Sequence, residues 1–312
     1  MLTYTARRLL QGILLVIVVS ILVFSMLHLM PGDPVELITD RKVPPEVKAE
    51  MKRQYGLDLP LHQQYLRWVK NILRGDFGVS IRSKTSVAAT FKHRIPVTLK
   101  LTGTALLVEF LIGVPLGLLA AYKKDSFFDR AVITTSLLFA ALPSFWIAVM
   151  LIMVFGVHLR ILPLSGFSSA KHYILPVLSI ALGGIAGMLR MAKSEVLDVL
   201  NERFVFTAYA KGLDKRTVLV KHVLYNSIIL ILVMFFLSLP WIISGAVIIE
   251  NIFVIPGMGG LMTQAIINQD MFVVQGCVLI ISILTVLSNI LADLLIAALD
   301  PRIRVSLSEG ES

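Results

Sequence analysis

Apolar residues run along the chain in six long blocks parted by polar stretches, rather than alternating with polar ones. The blocks cover Leu9 to Met30, Thr98 to Tyr122, Ala131 to Val157, Tyr173 to Met191, Ser227 to Ile249 and Phe272 to Leu299. Each is close to or above the ~20 helical residues needed to cross a hydrocarbon core of roughly 30 Å, where every backbone polar group must be paired within the protein. The pattern predicts an all-α membrane protein of six spans. Most blocks contain proline or glycine, among them Pro115, Pro143, Gly183, Gly184, Gly187, Pro240 and Gly245. Helices packed closely on neighbours tolerate and use such residues, so a bundle with several broken or bent helices is expected.

Between Pro31 and Val97 the pattern turns soluble. Pro44-Pro45-Glu46 opens a helix that should stop at Gly56, because proline suits a first helical turn and glycine the position after the last. Leu61, Tyr65, Trp68, Val69, Ile72 and Leu73 then share one helical face before Gly75. This small cap is expected to pack its stripe on the membrane domain or on itself. The chain thus divides into residues 1–30, an N-terminus and first span; 31–97, the cap; 98–304, a five-helix core with a polar loop at 201–226; and 305–312, a tail.

Composition agrees with the spans: 56% of residues are hydrophobic and 16% charged, with a mean hydropathy of +0.83. A formal charge of +9 fits either nucleic-acid binding or the cytoplasmic flanks of membrane spans. Position decides between them. With the N-terminus in the cytoplasm, Arg7, Arg8, Lys123, Lys124, Arg130, Arg190, Lys193, Arg203, Lys211, Lys215, Arg216, Lys221, Arg302 and Arg304 all lie inside. The short outer loops hold only Arg160 and Lys171. The basic cap sits in an outer loop of more than about 60 residues, where charge counts lose force. Both termini are therefore expected in the cytoplasm, the surroundings are lipid, and nucleic acid is excluded. The first block is too long for a signal peptide and no small-x-small site follows it, so the helix is expected to be retained. The lone Cys277 excludes an internal disulfide and reads as a packing residue.

The most informative polar segment is NERFVFTAYAKGLDKRTVLVKHVLYN, Asn201 to Asn226. Asn201 suits the cap of a short helix through Ala210, Gly212 a left-handed closing residue, and Asp214 the cap of the next helix. Small Ala208 and Ala210 beside Phe204, Phe206 and Tyr209 suit either an amphipathic surface helix or close insertion into a groove on another protein.

Thr207-Ala208-x-Ala210-Lys211-Gly212-Leu213 resembles the EAA loop of ATP-binding-cassette import permeases, in the form of their peptide and nickel group. The general loop ends in Ile-x-Leu-Pro; here His222-Val223-Leu224-Tyr225-Asn226 is similar to that subgroup's His-x-Leu-x-Asn ending. Met30-Pro31-Gly32-Asp33-Pro34, Tyr55-Gly56-Leu57-Asp58-x-Pro60-Leu61, Gly75-Asp76-Phe77-Gly78-x-Ser80, Leu142-Pro143-Ser144-Phe145-Trp146, Glu250-Asn251-Ile252-Phe253-x-x-Pro256-Gly257-Met258-Gly259 and Asp300-Pro301-Arg302-Ile303-Arg304 resemble the same subgroup, in order, across residues 1–304. The resemblance implies a six-helix importer permease with an extracytoplasmic helical insertion between helices 1 and 2, in a bacterial or archaeal cytoplasmic membrane. It implies half of a transport pathway, paired with a second permease, two ATPase subunits or domains that bind Mg-ATP, and a solute-binding protein. Glu202, Phe204, Thr207, Ala208, Ala210, Lys211 and Gly212 would then form the element that couples to the ATPase. The cargo would be a di- or oligopeptide, or else nickel or another metal chelate.

The chain has no Gly-Lys dipeptide and so no phosphate cradle, no His-Glu pair and no Gly-x-Ser-x-Gly elbow. Its six histidines lack ligand spacing. It is expected to be no enzyme and to hold no cofactor or metal. A secondary transporter is the competing class, but no repeat of halves is evident and six spans are few for a complete carrier.

Glu109 stands about nine residues beyond Lys100, hence about 13 Å along a helix into the core. A carboxyl there faces protein or water. A neighbouring helix, a partner subunit, a cationic group of the substrate, or a place at the lipid edge or on a lid each fits. Ser144 and Trp146 beside Pro143 read as either helix packing or cavity lining. Asn289 and Asp293 read as inter-helix or inter-subunit contacts, or for Asn289 the path. Pro256, Gly257 and Gly259 read as an outer gate or a plain tight turn.

Overall fold

The computed structural model describes residues 2–28, 44–80 and 82–299. The motifs at Met30 to Pro34 and Asp300 to Arg304, and the tail at 305–312, lie outside the described residues. What is described is helical, with one isolated bridge between Val79 and Ser86.

The first span is α1, Leu2–His28. The cap follows as α2, Pro45–Tyr55, and α3, Leu61–Leu73. Gly56 takes φ +69 and Gly75 φ +80, so both helices stop at the residues whose missing Cβ permits a left-handed turn. The apolar stripe of α3 packs on α1: Tyr65 and Trp68 lie 5.4 and 5.9 Å from the Phe24 ring, and the Tyr65 hydroxyl sits 2.8 Å from Ser20 Oγ.

The second span is the central rod, α4, Val87–Tyr122. It begins eleven residues before the predicted start at Thr98, and position 97 therefore falls inside a helix rather than at a domain edge. Ser86 Oγ accepts from the Ala89 amide at 3.4 Å, and Val87 and Phe91 are buried against Met258, Val273 and Cys277. That local cap and apolar anchor extend the helix outward past polar Lys92, His93 and Arg94.

The third span is broken, as its internal proline predicts. It consists of α5, Phe127–Ala141, and α6, Ser144–Leu151, with wider turns continuing to His158. The two arms meet at 102°. Pro143 has no N–H to give to an α-helical ladder and biases Leu142 toward extended backbone, observed at φ −91, ψ 134.

The fourth span is α7, Lys171–Leu200. The expected fifth span is also broken. A turn at Lys215–Thr217, wide turns at Val218–Leu224 and α9, Tyr225–Leu237, form one apolar rod; α10, Leu239–Ile252, starts again after Ser238 with a proline in its first turn. Then come α11, Met258–Ile267, and α12, Met271–Leu299. Among the described residues five helices are long and apolar enough to cross a membrane, six if the bent pair counts as one.

The bundle is organised around α4 against α7. A Cβ on Gly113 would press on Met188 and the Ile185 carbonyl, and one on Gly117 would overlap the Leu189 carbonyl. These two glycines bring the rods to backbone contact. Around that seam lie an outer core of Leu101, Ala105, Leu175, Ile249 and Phe253 and an inner one of Ala121, Val196, Val205 and Val218. Cys277 is buried, as a packing residue should be. Leu10, Leu14 and many other large apolar side chains stay exposed on the single chain, as lipid or a partner requires.

Candidate functional site: a docking helix, a cavity and a bracketed turn

The polar loop after α7 builds a short helix, α8, Arg203–Ala210. It begins one residue later than predicted. Asn201 remains in the last turn of α7, its amide bonded to the Asp198 carbonyl at 3.1 Å, and Glu202 takes the extended cap position with no side-chain bond. Gly212 closes the helix at φ +81, with no atom within 4 Å of a Cβ placed there. Backbone conformation, not space, demands glycine. Asp214 Oδ2 accepts from the Thr217 amide at 3.1 Å. The Thr217 hydroxyl and that amide hold the Asp214 carboxyl below the ordinary carboxylate range.

One face of α8 is seated on its own protein. Val205 and Ala208 are buried with Ala121, Val196, Val218 and Val223. Of the two small residues, Ala208 faces inward, where its small side chain lets α8 lie close on the ends of α4 and α7, and Ala210 faces outward. The aromatic face is the one left outside, with Phe206 79% exposed and Phe204 and Tyr209 each 41%. Glu202, Ala210 and Lys211 are exposed as well, and the Thr207 hydroxyl bonds back to the Arg203 carbonyl at 3.0 Å.

Beside this platform lies an ion pair that sequence reasoning missed. Lys193 Nζ on α7 meets Asp129 Oδ1 on α5 at 2.6 Å, with both side chains largely buried. Asp129 Oδ2 also accepts from the Asp125 amide at 2.9 Å, and Ser126 Oγ accepts from the Asp129 amide at 3.2 Å. The Ser126-x-x-Asp129 spacing, a helix-start signature, was the available signal.

Further along the same rods a cavity of about 810 Å³ opens between α4, α6, α7 and α9. Glu109, Ser144, Gly184, Gly187, Met188, Arg190, Met191 and Met234 contribute to its wall. Glu109 is 5% exposed and lies across Gly184, where a Cβ would overlap its carboxyl. The structure thus brings Glu109 and Ser144 together. It does not bring in Trp146, which is exposed on α6, or Asn289, which is exposed on α12. Asp293, one turn on, pairs with Arg8 of α1 at 3.1 Å, the inter-helix contact expected of it.

At the opposite end from α8, residues Pro256 to Gly260 form a tight turn in which Gly257, Met258 and Gly259 are buried. The organiser is Glu250, fully buried, which the sequence offered only as part of a motif. Its Oε1 accepts from the Thr98 hydroxyl at 2.5 Å; its Oε2 accepts from the Gly259 amide at 2.7 Å and the Gly260 amide at 3.2 Å. The Met258 amide donates to Thr98 Oγ1 at 2.8 Å. A Cβ on Gly257 would overlap the Glu250 carboxyl, and one on Gly259 would overlap Val247. Glycine is needed here for close approach. The geometry is that of a pinned turn at the start of α11, rather than an open flap, with Val254 held nearby at φ +53. An isolated carboxylate closing an apolar run was the signal for Glu250. Among the described residues no group of histidine, cysteine or carboxylate side chains is placed to hold a metal.

Residues 113–305 match the family model described as binding-protein-dependent transport system inner membrane component, and residues 1–102 match the model of that component's N-terminal part. The oligopeptide transport system permease protein AppB of Bacillus subtilis is 36% identical over 97% of this chain and 99% of its own length. The glutathione transport system permease protein GsiC of Escherichia coli K12 is likewise 36% identical, over 97% of this chain and 99% of its own. Among solved structures, the MetNI methionine ABC transporter in inward-facing conformations superposes with a TM-score of 0.58 at 17% identity, covering 67% of this chain and 96% of that one. An amino acid ABC transporter with histidines follows at 0.55 and 14%, covering 67% and 94%. At such identities these two structures show the fold.

Proposed function

The chain belongs to the binding-protein-dependent transport system inner membrane components, and from that membership we propose that it passes a short peptide inward by alternating access. It is a permease subunit, a transport component of an ATP-driven importer. The relatives named for oligopeptide and glutathione transport favour a peptide cargo over the nickel chelate that the sequence left open. Mg-ATP is bound and hydrolysed by partner ATPase subunits, a second permease completes the pathway, and a solute-binding protein delivers cargo to the outer face. The count of flanking cations puts both termini and α8 on the cytoplasmic side.

The observation that carries this reading is the two-sided character of α8. Its aliphatic face is fixed to α4 and α7, while Phe204, Phe206 and Tyr209 point away from the protein. A helix held on one side and aromatic on the other fits a groove on an ATPase subunit, where a buried aromatic anchor contributes about 2 kcal/mol or more. Phe206→Asp is expected to lower co-purification of the ATPase subunits at least ~10-fold and to stop uptake of labelled peptide. ATPase subunits retained at wild-type amounts, with uptake intact, would refute the assignment.

A further inference from the structure

Glu109 is the buried carboxyl that the coupling mechanism does not use. It is 5% exposed, and among the described residues no hydrogen bond or ion pair reaches it. A membrane-embedded carboxyl without a partner is costly to keep. Gly184 clears the space in which the carboxyl lies, and at Gly187, one turn further along α7, no atom comes within 4 Å of a Cβ. The carboxyl forms part of the wall of the 810 Å³ cavity, which Met188, Met191 and Met234 also line. Thioether side chains adapt to varied shapes, as a carrier of mixed peptides requires. Arg190 lies six residues beyond Gly184, about 9 Å along the helix. The cavity wall therefore carries both an acidic and a basic side chain, Glu109 and Arg190.

We propose that Glu109 is a substrate-binding residue whose carboxylate receives a primary ammonium group of the peptide in transit. This rests on the peptide reading above. The ammonium is the α-amine of the peptide or a lysine side chain; both present the same three donors to the same two acceptors.

The test is a ligand-observed NMR titration of the intact permease–ATPase complex without binding protein, so that delivery does not set selectivity. The probes are trialanine, N-acetyl-trialanine and N-acetyl-Ala-Lys-Ala. Wild-type complex is expected to bind trialanine ~10-fold or more tighter than its acetylated form. Recovery of affinity in the lysine peptide assigns the site to any primary ammonium, and no recovery assigns it to the α-amine. Glu109→Gln is expected to bring the ratio of the first two probes close to one. Gly187→Lys, placed in open space, supplies an ammonium that competes for the Glu109 carboxylate and is expected to do the same with Glu109 itself unchanged. A ratio unchanged in both variants, or no preference in wild type, overturns the inference and leaves the peptide reading standing. Wild-type complex that neither binds nor transports any peptide overturns the peptide reading, and the inference with it.

Discussion

Replacing Glu250 by leucine is expected to release the turn at Gly257 to Gly260, and the cost follows from counting the donors left behind. Leucine is close in size to glutamate, so no large cavity opens. The Thr98 hydroxyl can turn to a carbonyl of its own helix, as the Thr102 hydroxyl does to the Thr98 carbonyl at 2.9 Å. The Gly259 and Gly260 amides have no such recourse, because both are in the first turn of α11 and bond to Glu250 Oε2. Two buried amides without acceptors at about 1–3 kcal/mol each give roughly 2–6 kcal/mol. Glutamine behaves differently. Its carbonyl oxygen can face the two amides and its NH₂ can donate to Thr98 Oγ1, so Glu250→Gln is expected to cost about 1 kcal/mol. Denaturant unfolding of the detergent-purified importer gives the two differences, and hydrogen–deuterium exchange across residues 257–264 localises them. A leucine variant within about 1 kcal/mol of wild type, with Gly259 and Gly260 still protected, would refute the bracket. Equal losses in both variants would mean that charge rather than acceptor geometry holds the turn.

Two other perturbations address the inner end. Gly212→Val places a β-branched side chain at φ +81, a conformation costing about 1–2 kcal/mol or more. The complex should still assemble, yet peptide uptake should separate from ATP hydrolysis in proteoliposomes; wild-type coupling would remove the turn from the mechanism. Lys193→Met leaves the buried Asp129 carboxylate unpaired and is expected to destabilise by about 3–5 kcal/mol, with much of the loss recovered in Asp129→Asn/Lys193→Met. Unfolding midpoints of the wild type, Lys193→Met, Asp129→Asn and the double variant decide this, and additive losses would show that the two residues do not act as a pair.

What could be read from the sequence was whatever depends on a residue's near neighbours. The cap helices end where Gly56 and Gly75 adopt left-handed turns, and the stripe from Leu61 to Leu73 forms the helix its spacing predicts. The spans themselves follow from unbroken apolar runs. What could not be read depends on a third element. Proline at 143 and 240 signals a break, but the 102° angle at Leu142-Pro143 is set by what the arms pack against. Ala208 looks alike whether it faces inward or outward, and only Ala121 and Val196 on other helices settle it. Glu250, 152 residues from Thr98 along the chain, carries no local mark of the donors it gathers.

The three regions share the same two rods. The aliphatic face of α8 rests on Ala121, at the inner end of α4, and on Val196, near the inner end of α7. Those helices, about 54 and 45 Å long, are locked by the backbone contacts of Gly113 and Gly117. Lys193–Asp129 ties α5 to the same unit. Midway the pair presents Glu109 and Gly184 to the cavity, and toward its outer end α4 gives Thr98 to the Glu250 bracket. A displacement delivered to α8 therefore has little soft structure in which to dissipate before it reaches the cavity. The helix breaks, at Leu142-Pro143 and at Ser238, lie off this unit, at the ends of the neighbouring helices α6 and α9 that complete the cavity wall, whereas Pro96, Pro115 and Pro176 sit inside rods that stay helical. Relative motion is expected to concentrate there, because a close-packed rod pair shifts as a body while a broken helix yields at its missing hydrogen bonds. On this reading Gly212 matters for stiffness rather than for contact: a Cβ placed on it would meet nothing within 4 Å, yet it fixes the exit of the helix through which the displacement enters.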